Sequence, residues 1–111
     1  MPVAFLDPGQ LSARLELETP VETPDGQGGV TTAFSPVASL WALVEPVSHR
    51  LAELAGAEVA TVSHRIWIRH RAGIVAGQRL RKGARIFSIR LARDPDESGR
   101  YLVCYCEEEA P

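Results

Sequence analysis

The chain has 111 residues, 45% hydrophobic and 23% charged, with a formal net charge of −2. That suits one globular domain with its own core and argues against a disordered chain. No apolar run approaches the ~20 residues of a membrane helix, and the first ten residues lack the basic start and long apolar stretch of a secretory signal.

The small net charge conceals a segregation. Residues 1–58 carry eight acids against Arg14 and Arg50, a balance of −6. Residues 59–93 contain no acid and nine cations: Arg65, Arg69, Arg71, Arg79, Arg81, Lys82, Arg85, Arg90 and Arg93. Residues 94–111 hold six acids against Arg100. Two readings are open. The blocks build a directed electrostatic surface for a partner, or they lie on adjacent strands and neutralise one another.

In chain order, Ala13–Glu18 alternates polar and apolar residues, the period of a half-buried strand, with Leu15 and Leu17 inward. The turn-rich Pro24–Gly29 and the β-branched Val30–Phe34 complete a hairpin over 13–34. Ala38–Glu45 reads as a strand ended by Pro46. Ser48 then caps a short helix with Leu51, Leu54 and Ala55 on one face and Gly56 as its stop. Ser63–Arg71 places Ile66 and Ile68 on one side and Arg65, Trp67, Arg69 and Arg71 on the other. A short basic strand lies between Gly77 and Gly83. Ile86–Arg93 follows with Phe87, Ile89 and Leu91 on one face, and the turn Asp94–Gly99 leads into a last strand, Arg100–Glu107. The expected fold is mainly β: a small barrel or sandwich, best a β-barrel of six or seven short antiparallel strands, with one short helix in a long loop.

Motifs for chemistry are weak. Gly26–Gly29 lacks the following helix that a phosphate cradle requires, so it reads as a hairpin turn. Cys104 and Cys106, two apart on one strand face, are poorly placed for a mutual disulfide and read as core thiols of a reducing compartment. With His49, His64 and His70 they lack the short paired spacings of a zinc site. No activated nucleophile is recognisable. No catalytic residue, metal or cofactor is assigned, and the chain is not expected to be an enzyme. A small metal-dependent enzyme using these Cys and His residues is the weakest reading. A stand-alone nucleic-acid-binding barrel is the main alternative, because a basic stretch with Trp67 can track a phosphate backbone. Against it stand only seven aromatics and an acidic isoelectric point.

Taken together, Pro20–Thr32, Leu40–Ser48, Ser63–Arg71, Arg85–Ile89, Asp94-Pro95-Asp96 and Tyr101-Leu102 resemble, in order and spacing, the bacteriophage head-tail joining proteins. These are also called head-closure or stopper proteins, with relatives in gene transfer agents. The resemblance covers about residues 12–108, and each motif alone is only a strand or turn pattern. It implies one barrel domain over residues 1–111, with an extended N-terminal arm (1–11) and a helix-bearing excursion (46–62). It further implies a subunit of a six- or twelve-fold ring in the neck of a tailed phage or gene transfer agent, assembled in the bacterial cytoplasm. Its partners would be copies of itself, the portal or adaptor ring, the tail terminator or tail tube, and packaged double-stranded DNA, with no membrane.

Residue by residue, the expected subunit interface comprises Trp41, Leu43, Arg65, Trp67, Arg69, Arg71, Glu107, Glu108 and Glu109. Tryptophan among arginines is what interfaces concentrate at their energetic centres. Leu43 departs from the family pattern, where a polar residue is expected, and enlarges the apolar part. Either the acidic hairpin or Glu107–Glu109 would meet the basic strand of a neighbour. The channel-loop candidates are Ser48, His49, Arg50, Leu51 and Leu54, and Arg79, Arg81 and Lys82 are candidates for DNA backbone contact.

Overall fold

The computed structural model describes residues 6–54 and 58–110, with 48–54 and 58–60 described as backbone only. Six antiparallel strands, β1 (Ala13–Pro24), β2 (Val30–Leu54), β3 (Glu58–Arg69), β4 (Arg79–Lys82), β5 (Arg85–Arg93) and β6 (Tyr101–Glu108), close in the order β1-β2-β3-β6-β5-β4. The mainly β barrel expected from the alternation pattern is the fold observed.

Inward residues of every strand fill the interior: Leu15, Leu17, Ala42, Ile66, Ile68, Leu80, Phe87, Ile89, Leu102, Cys104 and Cys106 form one cluster. Each such aliphatic or aromatic side chain contributes about 1.5–3 kcal/mol by leaving water. The two cysteines are free and fully buried. Burial pushes the Cys104 thiol up to about 12, and Cys106 higher still.

The hairpin turn forms as its residues suggest. The Asp25 carboxylate accepts from the amides of Gln27 (2.7 Å) and Gly29 (3.1 Å), while Gly26 and Gly28 supply positive φ.

Four local expectations need correction. The segments expected to be separate strands on either side of Ser35–Val37, and the helix expected after Pro46, are one strand. Residues 49–54 of β2 pair with β3 through His49↔Val62, Arg50↔Thr61, Leu51↔Ala60 and Leu54↔Glu58. A helix of two turns has no stability of its own, whereas an available ladder satisfies the same backbone groups. Ala55 and Gly56, the end of that helix, lie outside the described residues.

The prolines do not end β2, because both sit where the ladder is already interrupted. Pairing jumps from Leu17↔Ala38 to Glu18↔Pro36, leaving Val37 as an extra residue, and again between Pro46 and His49.

A further bulge, between Ile89 and Leu91, changes which side of β5 faces inward. Ala92 pairs with core Cys104, and Leu91 turns to the outer face opposite Tyr105. Phe87 and Ile89 are core as expected; Leu91 is not.

Finally, the described part of the N-terminal arm is not extended. Pro8–Gln10 form a single 3-10 turn capped by Asp7, Leu11 is buried, and the Tyr101 hydroxyl donates to the Leu6 carbonyl at 3.5 Å.

Candidate interaction site

The outer face of the barrel is organised by register. Pairing sets Leu43 beside Trp67 and Trp67 beside Val103, while Glu45 lies beside Arg65 and Arg65 beside Tyr105. Trp41 opposes Arg14 on β1, and Arg69 opposes Tyr101 on β6. Trp41, Leu43, Arg65, Trp67 and Arg69 therefore share one outer surface, as the alternation implied.

Their surroundings differ from the expectation. The Glu45 carboxylate accepts from Arg65 Nε at 2.9 Å and from Trp67 Nε1 at 3.3 Å, so these two expected interface residues are held within their own chain.

The C-terminal acids are held likewise. Glu108 accepts two hydrogen bonds from Arg85, at 2.8 and 3.1 Å. Glu107 accepts from Arg90 at 2.7 Å, and Glu109 from the Ser88 hydroxyl at 2.9 Å. Hydrogen bonding by Arg85 holds the Glu108 carboxyl below its usual pKa. Arg85 also lies over the Phe87 ring, which His64 meets edge-on at 4.9 Å. Burial lowers the His64 pKa; Glu108 opposes that and Arg85 adds to it.

Arg79 and Arg81, singled out for DNA, clamp a third acid. Their Nε atoms donate to the two oxygens of Glu18 at 2.6 and 3.0 Å, and Arg79 stacks on Phe34 at 3.8 Å. Glu18 is only 6% exposed. Burial raises its pKa, but the hydrogen bonds from Arg79 and Arg81 outweigh that and hold it below the usual value. Neither Glu18 nor Glu45 stood out in the sequence. In strict alternation Glu18 is simply a solvent-facing residue, and it is covered by Arg79 and Arg81, which reach it from β4. Lys82 is exposed.

These pairs decide between the two readings of the charge blocks for much of the barrel. Acids before residue 59 and after 93 pair with the basic block across neighbouring strands. At the end of β3 they do not. Among the described residues no carboxylate lies within ion-pair distance of Arg69 or Arg71, and the Arg71 Nε is buried without a hydrogen-bond partner. These two arginines, with Ser39, Leu40 and Trp41, line an open cleft of about 230 Å³. Trp41 is 53% exposed, and Arg14 lies over its ring at 4.8 Å.

The channel-loop candidates Ser48, His49, Arg50, Leu51 and Leu54 lie on the distal part of β2, a two-stranded ribbon with β3; their side chains lie outside the described residues.

No curated protein matches the chain. Solved structures do, two of them over nearly their whole length. A chain in the virion of the native gene transfer agent particle is 28% identical, with a TM-score of 0.66, covering 88% of this chain and 94% of that one. Protein SF1141 from Shigella flexneri 2a is 33% identical, with a TM-score of 0.69, covering 95% and 98%. Residues 6–109 match the phage head completion protein family, which is not an enzyme class. From Leu6 to Glu109, across every strand of the barrel, this chain belongs to the phage head completion protein family.

Proposed function

We propose that the protein is a head-tail connector subunit, built into the neck of a tailed phage or gene transfer agent particle as a ring. There it docks the tail to the portal side of the head and retains packaged DNA. The observation that carries this reading is the family match across the whole barrel, joined by the likeness to a chain of the gene transfer agent virion. The surface supports it: a tryptophan half exposed beside two arginines that meet no carboxylate among the described residues suits a partner better than solvent.

The ring reading also fits the two ribbons of β2, one formed with β1 and one with β3. The β2–β3 ribbon is the candidate for the excursion toward the channel. Contact with DNA through Arg79, Arg81 and Lys82 would be weaker than three cations suggest, because Glu18 offsets one of them. Such contact is independent of base sequence and weakens as salt rises.

Particles assembled without this protein test the proposal. Filled heads that lack tails and lose their DNA are the expected product. Normally tailed particles that hold their DNA would overturn the reading. A monomer that binds DNA tightly and never enters particles would instead favour the stand-alone nucleic-acid barrel.

A further inference from the structure

We propose that the β1–β2 ribbon of one copy seats on the cleft of Trp41, Arg69 and Arg71 of the next, making the head-to-tail contact that closes the ring. The inference rests on the connector reading and names the surfaces through which copies meet.

Among the described residues the ribbon lacks a partner of its own. Beyond Glu18, β1 pairs only with β2, and before Ala42, β2 pairs only with β1. From Pro20 to Val37 every residue but Phe34 is exposed, including Val21 (45%), Val30 (58%) and Val37 (47%). Two strands without a third, or without a packed face, are marginal in water. Open edges and bare valines also invite another chain. At its base the ribbon is fixed to the barrel by the stack of Phe34, Arg79 and Glu18, so it leaves the barrel in a set direction.

Charge selects the occupant. No Lys or Arg occurs between Arg14 and Arg50, and the ionisable groups of the ribbon are Glu22 and Asp25. Glu22 shares a face with Thr32, its cross-strand partner, and with Val30, two positions along β2. The cleft offers the complement: among the described residues its two guanidinium groups meet no carboxylate and one has a buried Nε without a partner, beside an indole for the valine to cover.

The chain cannot fill the cleft itself in this way. Val30 and Trp41 are eleven residues apart on one continuous strand, so the ribbon tip stands about 36 Å from its own cleft at strand rise. Of the other acidic segments, Glu107–Glu109 is engaged by Arg90, Arg85 and Ser88, and in the Asp94–Gly99 turn Asp96 pairs with Arg100 and Asp94 accepts from the Gly99 amide. Ribbon and cleft are different patches of one molecule, and such heterologous contacts build rings.

A charge swap tests this in particle assembly. The cleft variant carries Arg69→Glu and Arg71→Glu; the ribbon variant carries Glu22→Lys and Thr32→Lys. Each alone opposes like charges, and its incorporation into particles should drop by at least about tenfold. Supplied together they present acidic ribbons to basic clefts and basic ribbons to acidic clefts, and incorporation should return to within about twofold of the native level. Native-level incorporation of either variant alone overturns the inference, and so does failure of the mixture to recover. Absence of the native protein from particles would instead sink the connector reading itself.

A second readout leaves these charges intact. Trp67→Phe leaves Trp41 as the only tryptophan, and its emission should shift to the blue on assembly. Unshifted emission in assembled rings would also overturn the inference.

Discussion

Arginines on the β4–β6 side of the barrel and those at the end of β3 come from the same basic stretch of sequence, yet they do different things. Arg79, Arg81, Arg85 and Arg90 each meet a carboxylate from another strand, and two of them also cover an aromatic ring. Arg69 and Arg71 meet none among the described residues and stand around a half-exposed tryptophan. The first set closes and braces the barrel. The second has no such partner among the described residues, and it is the set proposed to meet another molecule. A run of positive charge in a β sequence is therefore not one property; strand pairing divides it into structural and available parts.

The contrast is broken most severely beneath the paired side. Phe87 is fully buried and supports both Arg85 and His64. Phe87→Ala should cost about 3–5 kcal/mol, seen as a large fall in the urea midpoint. A fall under about 1 kcal/mol would show that this end of the barrel is not packed as described.

Next comes Glu18→Gln, which leaves two guanidinium groups with a neutral partner at a buried site. A loss of about 1–3 kcal/mol is expected, with Arg79 released from its place over Phe34. A wild-type midpoint would mean that the clamp does not brace the ribbon base.

Acid should weaken the paired side by a smaller amount. The His64 pKa is lowered in the fold, so the unfolded chain binds that proton at higher pH; stability is then full above the ordinary value of 6.5 and falls as pH drops below it. Glu18 behaves in the same sense further down, keeping its contribution above 4.5 and losing it as pH falls toward its lowered value. His64→Gln should flatten the decline between about pH 7.5 and 5.5, measured by urea melts across that range. An unchanged decline would assign it to other groups.

The smallest effect belongs to Arg69 and Arg71. Arg69→Gln with Arg71→Gln should alter stability by no more than about 0.5 kcal/mol. A loss as large as that of Glu18→Gln would erase the distinction between the two sets.

Strand alternation made much of this legible. Leu15 and Leu17, Ile66 and Ile68, and the outward Arg65, Trp67 and Arg69 all lie where a period of two puts them. What it could not convey arises at three of the bulges. One extra residue at Val37 accompanies the burial of Glu18, another after Pro46 lets β2 continue where a helix was expected, and a third turns Leu91 outward. A bulge has no strong sequence mark, because its requirement is set by the partner strand.

The ion pairs were hidden for a related reason. Register decides whether Glu45 meets Arg65 or Glu108 meets Arg85, and register is a property of two segments far apart in sequence. The free cleft emerges only after those pairs are assigned.

Direct imaging of the neck in intact particles tests the connector assignment most squarely. The account requires density for a ring of these six-stranded barrels between head and tail, with a hairpin from each copy lying against Trp41 of its neighbour. A neck whose density has no place for the barrel would contradict it.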